Sequence, residues 1–238
     1  MNTHSLKPSH YHAISPRPSV STARWDEKMP QANRESESVP DSCLRSLAWA
    51  KAQQGDYAEA IALLSQLIDR HPHDAIDYNN RGLVYFQSGQ LEQAIADYNR
   101  ALQLNPKLAS AYNNRANYYA ASGQLRSALS DYDCAIDLNP SYARAWINRG
   151  ITLRDLECYD QAIENFDIAL LLGQLEGHIY AERGLTYHLS GDWNCCIADY
   201  RRALTKLPQN NTSTDACAAR LRLKVINCLN QLLKPQTS

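Results

Sequence analysis

Residues 75–108 read AIDYNNRGLVYFQSGQLEQAIADYNRALQLNPKL, and this stretch decides the fold because the chain repeats its pattern. Large, small and turn-forming residues recur in it at fixed offsets: Tyr78, Gly82, Tyr85, Gly89, Ala94, Tyr98, Ala101 and Pro106. The next segment, 109–142, gives the same classes in the same register: Tyr112, Ala116, Tyr119, Gly123, Ala128, Tyr132, Ala135 and Pro140. Agreement at so many positions indicates an internal repeat, which is the signature of a solenoid.

Three further copies follow this register less closely. The two later copies carry Trp146, Gly150, Leu153, Glu157, Ala162, Phe166, Ala169 and Gln174, and then Tyr180, Gly184, Tyr187, Gly191, Cys196, Tyr200, Ala203 and Pro208. The earlier copy carries Leu44, Ala48, Lys51, Gly55, Ala60, Leu64, Leu67 and Pro72. We therefore predict five repeats, over residues 41–74, 75–108, 109–142, 143–176 and 177–210.

Each copy contains two helical windows. Within residues 75–88 and again within 91–104, apolar and small residues recur at the helical period. Gly89 lies between the windows, where a residue that tolerates left-handed backbone angles is needed. Pro106 ends the second window, because proline cannot donate to the helical ladder. One such hairpin cannot bury its own apolar face, so neighbouring hairpins must stack.

This pattern resembles the tetratricopeptide repeat (TPR). The resemblance implies an all-α fold, a right-handed superhelical solenoid of five helix-turn-helix repeats, with the first helix of each repeat lining a concave groove that binds protein. The Asn-Arg-Gly register of the first helices also resembles that of cyanobacterial and plastid TPR proteins, some of which help to assemble photosynthetic complexes.

Both flanks differ from the repeats. Residues 1–40 are rich in Ser and Pro and sparse in apolar residues, which predicts a disordered N-terminal arm. Residues 1–25 contain no acidic residue, so an organelle transit peptide is an alternative to a plain tail. Trp25 stands out there as a candidate docking anchor.

We predict a linker and a capping helix over 211–238, with the helix from Asp215 to Leu233 and three basic residues facing water: Arg220, Arg222 and Lys224.

Composition argues against several classes of function. A net charge of −1 gives no electrostatic basis for binding nucleic acid. The longest apolar run, 168–172, is far too short to insert into a membrane. Seven cysteines without a CxxC pair favour reduced thiols in a cytoplasmic protein. Motifs for nucleophilic catalysis, phosphate binding and zinc binding are missing from the sequence, so we predict no enzyme, no cofactor and no metal site.

Recurring residues that packing does not require are the candidate site. Asn80, Asn114 and Asn148 occupy one register on successive first helices. A side-chain amide can donate to and accept from a peptide backbone. The arrangement resembles the asparagine ladder in the TPR superhelix of O-linked N-acetylglucosamine transferases, which grips extended peptides. The alternative is that these residues bond neighbouring repeats to each other. We add to the predicted groove the residues Asn79, Asn113, Asn117, Trp49 and Arg144, with Leu83, Phe86 and Arg154 beside them.

Arginines follow the same register and suggest a structural pairing. Each lies sixteen residues before an acidic or amide residue, in the pairs Arg81 and Asp97, Arg115 and Asp131, Arg149 and Asn165, and Arg183 and Asp199. The first repeat has Leu47 and Leu63 instead, so charge is absent from both positions together. This covariation predicts an ion pair between the two helices of each repeat.

The resemblance also suggests a specific activity, the carboxylate clamp that TPR co-chaperones use for heat-shock protein tails. Starting from repeat one, the chain offers Arg45, Trp49, Asn80, Ser110 and Asn114 for that clamp, and starting from repeat two it offers Asn79, Leu83, Asn114, Arg144 and Asn148. Each register is only a partial match. We therefore predict a non-enzymatic scaffold or adaptor that binds an extended peptide or partner segment. The alternative is a co-chaperone, or an assembly factor for a multi-subunit complex such as a photosynthetic one.

Overall fold

The computed structural model describes residues 39–208 and 216–233, and within these ranges it contains eleven α-helices and no strand. Five helices come first in their pairs: α1 (Asp41–Gln53), α3 (Ala75–Gln87), α5 (Ala109–Ala121), α7 (Ala143–Asp155) and α9 (Glu176–Ser190). Five come second: α2 (Tyr57–Arg70), α4 (Leu91–Leu104), α6 (Leu125–Leu138), α8 (Tyr159–Leu171) and α10 (Trp193–Lys206). The last helix is α11 (Ala216–Leu232).

Helices that are adjacent in sequence pack against each other. Each first helix contacts the second helix of its own pair, and that second helix contacts the first helix of the next pair. The predicted all-α solenoid of stacked helix pairs is therefore confirmed. The predicted disordered arm, including Trp25, lies outside the described residues except for positions 39 and 40. Residues 209–215, which include the predicted linker, also lie outside them.

Backbone conformation explains the turn residue of the pattern. Gly89 has a φ of +80° and Gly123 a φ of +75°, both in the left-handed region that glycine enters without strain. In the fourth pair the same position is Glu157, whose φ of 62° shows that the turn keeps its geometry with a non-glycine residue. That residue adopts a conformation that its Cβ disfavours.

Close helix approach explains the small residues. A Cβ added to Gly82 would lie 2.9 Å from the Tyr98 ring, and one added to Gly184 would lie 2.8 Å from the Tyr200 ring. Both rings are buried between the helices of their own pair. The alternation of large and small residues therefore reflects an aromatic ring on the second helix that packs directly onto the backbone of the first.

The fourth pair joins the fifth without the proline that ends the other second helices. Helix α8 ends at Leu171, and both Gly173 and Leu175 have positive φ values, of 68° and 58°. Helix α9 then begins at Glu176, one residue before the predicted start of the fifth repeat. Two left-handed residues thus make the turn that Asn-Pro makes elsewhere.

Helix α11 covers the end of the stack. Val225 and Leu229 are buried in a cluster with Tyr200, Cys196 and other residues of α9 and α10. Four further residues of the helix, Ala218, Leu221, Cys228 and Leu232, pack partly buried against this cluster, so one face of α11 faces the stack.

The prediction that Arg222 faces water was wrong. It is half-buried, and its Nη1 donates to the carbonyl oxygens of Leu204 at 2.6 Å and Leu207 at 3.2 Å. The carbonyl groups at the end of a helix lack partners within that helix, so a cation placed there satisfies them and the helix dipole together. Arg220 and Lys224 are exposed as predicted.

Candidate functional site

The first helices of successive pairs line one side of the stack. Helix α3 touches α5, α5 touches α7, α7 touches α9, and α9 touches α11. Contacts of this extent between successive second helices are not found in ranges 39–208 and 216–233. The stack is therefore tighter on the side of the first helices, and these helices form its inner groove.

The predicted asparagines form a hydrogen-bonded ladder along this groove. Asn114 Nδ2 donates to Asn79 Oδ1 at 3.0 Å, and Asn148 Nδ2 donates to Asn113 Oδ1 at 3.1 Å, each across 35 residues. Within a helix, Asn113 Nδ2 donates to Asn114 Oδ1 at 3.3 Å. The alternative considered from the sequence, bonding between neighbouring repeats, is therefore present in the structure. Contact with a ligand stays a prediction.

The ladder stops at Asn80, and the sequence explains why. Asn80 Nδ2 is buried and has no hydrogen-bond partner among the residues described. The other bonds of the ladder join residues 35 apart, so the partner of Asn80 would be residue 45. That residue is Arg45 instead of Asn, and its guanidinium donates to the carboxylate of Asp77 at 2.7 and 2.8 Å. A buried amide nitrogen without a partner is unusual in a folded protein.

The predicted groove residues differ in accessibility, and Asn79, Asn80, Asn113 and Asn114 are only 3% to 5% exposed. Trp49 and Arg144 are half-buried on α1 and α7. Asn117 is half-buried as well, and its Oδ1 accepts a hydrogen bond from the Tyr132 hydroxyl at 2.7 Å. Burial lowers the pKa of Arg144, so the protein has partly removed this guanidinium from water.

Leu83 and Phe86 are not available to a ligand, contrary to the predicted groove. They are only 7% and 5% exposed, and Phe86 packs in a cluster with Ala94 and Tyr98 of α4. The helical period places both at the edge of the inner face. Phe86 is covered there by α4 of its own pair and by Tyr118 of α5. The prediction used only the positions of the two residues in the repeat, and these positions do not show which other side chains bury them.

Arg154 was predicted as a basic groove residue, and the structure changes that view. It is 5% exposed, and its Nη1 donates to Glu182 Oε2 on α9 at 2.5 Å. A buried charge needs such a partner because desolvation is costly. His178 lies on the same helix as Glu182. Burial lowers the pKa of His178, and Arg154 and Arg144 lower it further.

The predicted arginine pairs lie between the helices of each pair. Arg115 Nε and Nη2 donate to Asp131 at 2.7 and 2.9 Å, and Arg81 and Arg183 bind Asp97 and Asp199 in the same two-bond geometry. These three pairs confirm the prediction. Such bidentate bonds are both stronger and more directional than single ones.

Each arginine also reaches backward, which the sequence reasoning missed. Arg115 Nη1 donates to Asn99 Oδ1 of the preceding pair at 2.8 Å. In the fourth pair the roles are exchanged: Arg149 bonds Asp133 of the preceding pair at 2.7 Å, and its contact at 3.1 Å within its own pair is to neutral Asn165. In the fourth pair the carboxylate that binds the arginine therefore belongs to the preceding pair, and the neutral amide belongs to the arginine's own pair.

The tyrosines of the pattern add to this arrangement. The Arg115 guanidinium lies 5.6 Å from the centre of the Tyr112 ring and 5.9 Å from that of Tyr119. Arg183 lies between Tyr180 and Tyr187 in the same way. A guanidinium between two aromatic faces is favourable, which helps to explain why tyrosine is common at these positions. The arginines therefore join repeats to each other and do not reach into the groove as ligands.

Groups with other chemistry are sparse in the part of the chain that the structure describes. No group of three or more His, Cys, Asp or Glu side chains there could hold a metal ion. Cys196 is buried at the small packing position, where burial raises the pKa of its thiol to about 11, while the adjacent Cys195 is exposed. No helix in that part is long and apolar enough to span a bilayer.

Comparison with known families identifies the repeats. A family model described as a TPR repeat matches residues 82–123, and models described as tetratricopeptide repeats match residues 43–74 and 109–142. No curated protein sequence matches the chain.

Solved structures share the fold. A thermophilic TPR protein from Thermus thermophilus aligns with a TM-score of 0.69 at 21% identity, over 80% of this chain and 100% of that protein. The crystal structure of MamA aligns with a TM-score of 0.57 at 22% identity, over 67% of this chain and 94% of MamA. A MamA RS-1 double mutant aligns with a TM-score of 0.58 at 18% identity, over 69% and 93% of the two chains.

Proposed function

Because the chain is a tetratricopeptide-repeat protein, we propose that it is a non-enzymatic scaffold or adaptor that binds an extended peptide or a partner segment in its inner groove. TPR repeats in general mediate contacts between proteins, and the proposal adds the place and the manner of binding. The residues proposed for the groove are the half-buried Trp49, Asn117, Arg144 and Asn148 and the buried Asn79, Asn80, Asn113 and Asn114. A ligand reaches the buried four only after their amides turn toward the groove.

The unpartnered amide of Asn80 carries this proposal. Along the ladder, the amide nitrogens of Asn114 and Asn148 already donate to the preceding helix, which fixes the spacing of the amides. Asn80 Nδ2 has no such acceptor within the described residues. A backbone carbonyl of a bound segment would provide one, once the amide turns toward the groove. Trp49, on the preceding first helix, would pack against the same segment.

The test uses the full chain and a peptide selected against it from a random library. Asn80→Ala is expected to weaken binding of that peptide by about 3- to 10-fold in calorimetry, the equivalent of one hydrogen bond. The same substitution should change the free energy of unfolding by less than about 1 kcal/mol, because the Asn80 nitrogen has no partner to lose and the Asn80 oxygen accepts only a long bond of 3.5 Å from Asn79 Nδ2.

The matched control is Gln103→Ala, on the exposed face of α4. This variant should bind the selected peptide as the unchanged chain does. Equal affinities for Asn80→Ala and the unchanged chain would remove Asn80 from the site. Weaker binding by Gln103→Ala would place the peptide on the second helices and contradict the proposal.

A co-chaperone is not favoured by the geometry. The clamp register that starts from repeat one needs Arg45 for a ligand carboxylate, but Arg45 already holds Asp77 and Asp74 at 2.7 to 2.9 Å. The register that starts from repeat two has the apolar and buried Leu83 where the clamp needs an asparagine. The role of an assembly factor remains an alternative use of the same groove. We propose a cytoplasmic location on the sequence argument from the cysteines alone.

A further inference from the structure

Two cysteines lie where the last two helices meet. Cys196, on α10, is completely buried, and Cys228, on α11, is half-buried. Cys196 is a core member of the apolar cluster that α11 forms with α9 and α10, and Cys228 packs against that cluster. Tyr200, one helical turn after Cys196, is buried in it as well. The two thiols therefore share one packed region that joins α10 to α11.

The cysteine on α10 departs from the repeat pattern. The equivalent position of the four earlier repeats is a completely buried alanine, namely Ala60, Ala94, Ala128 and Ala162. Because alanine fits this position in every other helix pair, packing does not require a thiol there. The thiol appears in the fifth repeat, and the helix that covers this repeat carries Cys228.

The side chains at this junction are close enough to affect each other's protonation. Burial raises the pKa of the Cys196 thiol to about 11, and Cys228 contributes to the increase. Burial also raises the pKa of the Tyr200 hydroxyl, and Cys228 and Cys196 each raise it further. Effects of this kind act mainly within about 6 Å, so both thiols lie near the Tyr200 hydroxyl. At pH 7 Cys196 is a protonated thiol, which is a weak nucleophile.

Cys228 can be reached from solvent, whereas Cys196 cannot. A depression of about 210 Å³ between α9 and α11 is partly open to solvent, and Cys228 and Tyr200 are among the residues that line it. Cys196 is 0% exposed. A small oxidant that enters the depression therefore meets the Cys228 thiol first.

We propose that Cys196 and Cys228 form a reversible disulfide that ties α11 to α10 when a hydroperoxide oxidises Cys228. The site lies outside the residues proposed for the groove and does not depend on the proposed function. In the reduced protein, α11 is held by apolar packing and by the bonds that Arg222 donates to the end of α10. The disulfide adds a covalent link to these contacts, and only under oxidising conditions, since reducing compartments keep thiols reduced.

The chemistry takes two steps and consumes one hydroperoxide. In the first step, the Cys228 thiolate attacks an oxygen of hydrogen peroxide and the O–O bond breaks. Cys228 becomes a sulfenic acid, and hydroxide leaves with the thiol proton as water. In the second step, the Cys196 sulfur attacks the Cys228 sulfur and loses its proton, the S–O bond breaks, and a second water leaves. Two thiols are thus oxidised to one disulfide, and the peroxide is reduced to two waters.

The disulfide should hold the end of the solenoid more firmly. It closes a loop that contains the connection between α10 and α11, and closing a loop restricts the unfolded chain. Separation of α11 from the stack then becomes rarer. Amide hydrogen exchange in α11 should therefore slow by about tenfold or more after oxidation.

The first test is peroxide treatment of the full chain, followed by alkylation of the remaining thiols and peptide mapping by mass spectrometry. The expected product is a peptide pair joined through Cys196 and Cys228, with two hydrogens lost, which dithiothreitol separates again. Cys195→Ser, which removes the exposed neighbour of Cys196, should leave this product unchanged. No bond between Cys196 and Cys228, or a bond from Cys228 to Cys195 or Cys217 in its place, would overturn the proposal.

The second test assigns the roles of the two thiols. Cys196→Ala restores the alanine of the other repeats, so this variant should fold. It cannot complete the second step, and dimedone, which traps sulfenic acids, should label Cys228 several-fold more than in the unchanged chain. Peroxide should no longer slow exchange in α11 of this variant. Equal labelling in both chains would show that Cys196 does not resolve the sulfenic acid, and would contradict the proposal. Peptide binding that depends on Asn80 is a separate measurement, so failure here leaves the proposed function standing.

Discussion

Replacing Arg115 with Leu tests the ion pairs that join the helices. Arg115 donates two bonds to Asp131, at 2.7 and 2.9 Å, and a third to Asn99 of the preceding pair at 2.8 Å. The side chain of Asp131 is only 9% exposed. Arg115→Leu therefore leaves a buried carboxylate without its counter-charge, and also leaves the amide oxygen of Asn99 without a donor.

The expected loss follows from these contacts. Breaking a buried pair by removing one partner costs about 3 to 5 kcal/mol. The Arg115 side chain is 20% exposed, so water can partly solvate the site and we take the lower end, about 3 kcal/mol. Adding Asp131→Leu should recover about 2 kcal/mol of this, because the double variant recreates the pair of leucines, Leu47 and Leu63, found in the first repeat.

Arg149→Leu is the matched control, because it lies at the same position one repeat later. Its carboxylate partner, Asp133, is 54% exposed, and its partner within the pair, Asn165, is neutral. An exposed ion pair contributes about 0 to 1 kcal/mol, so Arg149→Leu should cost about 1 kcal/mol. The contrast between the two arginines separates burial of the carboxylate from mere loss of a charge.

Equilibrium unfolding in urea measures these three variants and Asp131→Leu alone, since urea does not screen charge as a guanidinium salt does. A double-mutant cycle on Arg115 and Asp131 should give a coupling energy of at least about 2 kcal/mol, to which the cost of Asp131→Leu alone adds. A coupling energy near zero would refute the reasoning. So would a loss for Arg149→Leu as large as the loss for Arg115→Leu.

Three other predictions use stability as the readout, in the same urea assay. Tyr98→Phe should stabilise the fold by about 1 kcal/mol, because the Tyr98 hydroxyl is buried without a partner in the described ranges. Tyr132→Phe should destabilise it by about 1 kcal/mol, because the bond to Asn117 is lost. Changes of the same sign in the two variants would contradict this. Glu157→Gly should stabilise by up to about 1 kcal/mol by relieving its left-handed φ, whereas no gain would show that the turn is unstrained. Deleting 209–238 removes α11, and it should lower the free energy of unfolding and cause aggregation, which light scattering detects. An unchanged free energy of unfolding would exclude a capping role for α11.

Local rules were sufficient to predict the solenoid. The positions of Gly89 and Pro106 each follow from backbone chemistry that acts within a few residues. The small residue at Gly82 and the large one at Tyr98 lie sixteen positions apart, which is still within one hairpin. Because the repeat supplies these signals several times, departures such as Glu157 did not obscure them.

The contacts between repeats were harder to predict. The bond from Asn114 to Asn79 crosses 35 residues and depends on how one pair sits on the next, which no local rule gives. The backward reach of Arg149 to Asp133 is different, because the sequence contained its signal. An acid sixteen residues before the arginine, together with an amide sixteen residues after it, would have identified the exchange.

The open amide of Asn80 also had a signal in the sequence. Once the ladder is known to join residues 35 apart, Arg45 at the next position back marks the end of the ladder. Burial of Leu83 and Phe86 had no such signal, because the helical register shows which face of α3 a residue lies on and not which side chains cover it. The candidate site could thus be located from the sequence, but its accessible residues could not be separated from its buried ones.

Hydrogen–deuterium exchange of the full chain, with and without a bound peptide selected against it, tests the central claim most directly. A peptide in the inner groove should slow exchange in the first helices that carry the proposed residues, α1, α3, α5 and α7, and leave the outer faces of α4, α6 and α8 unchanged. The account predicts this alternation along the chain. Protection confined to the second helices would show that the protein binds its partners on the opposite surface, and would contradict the account.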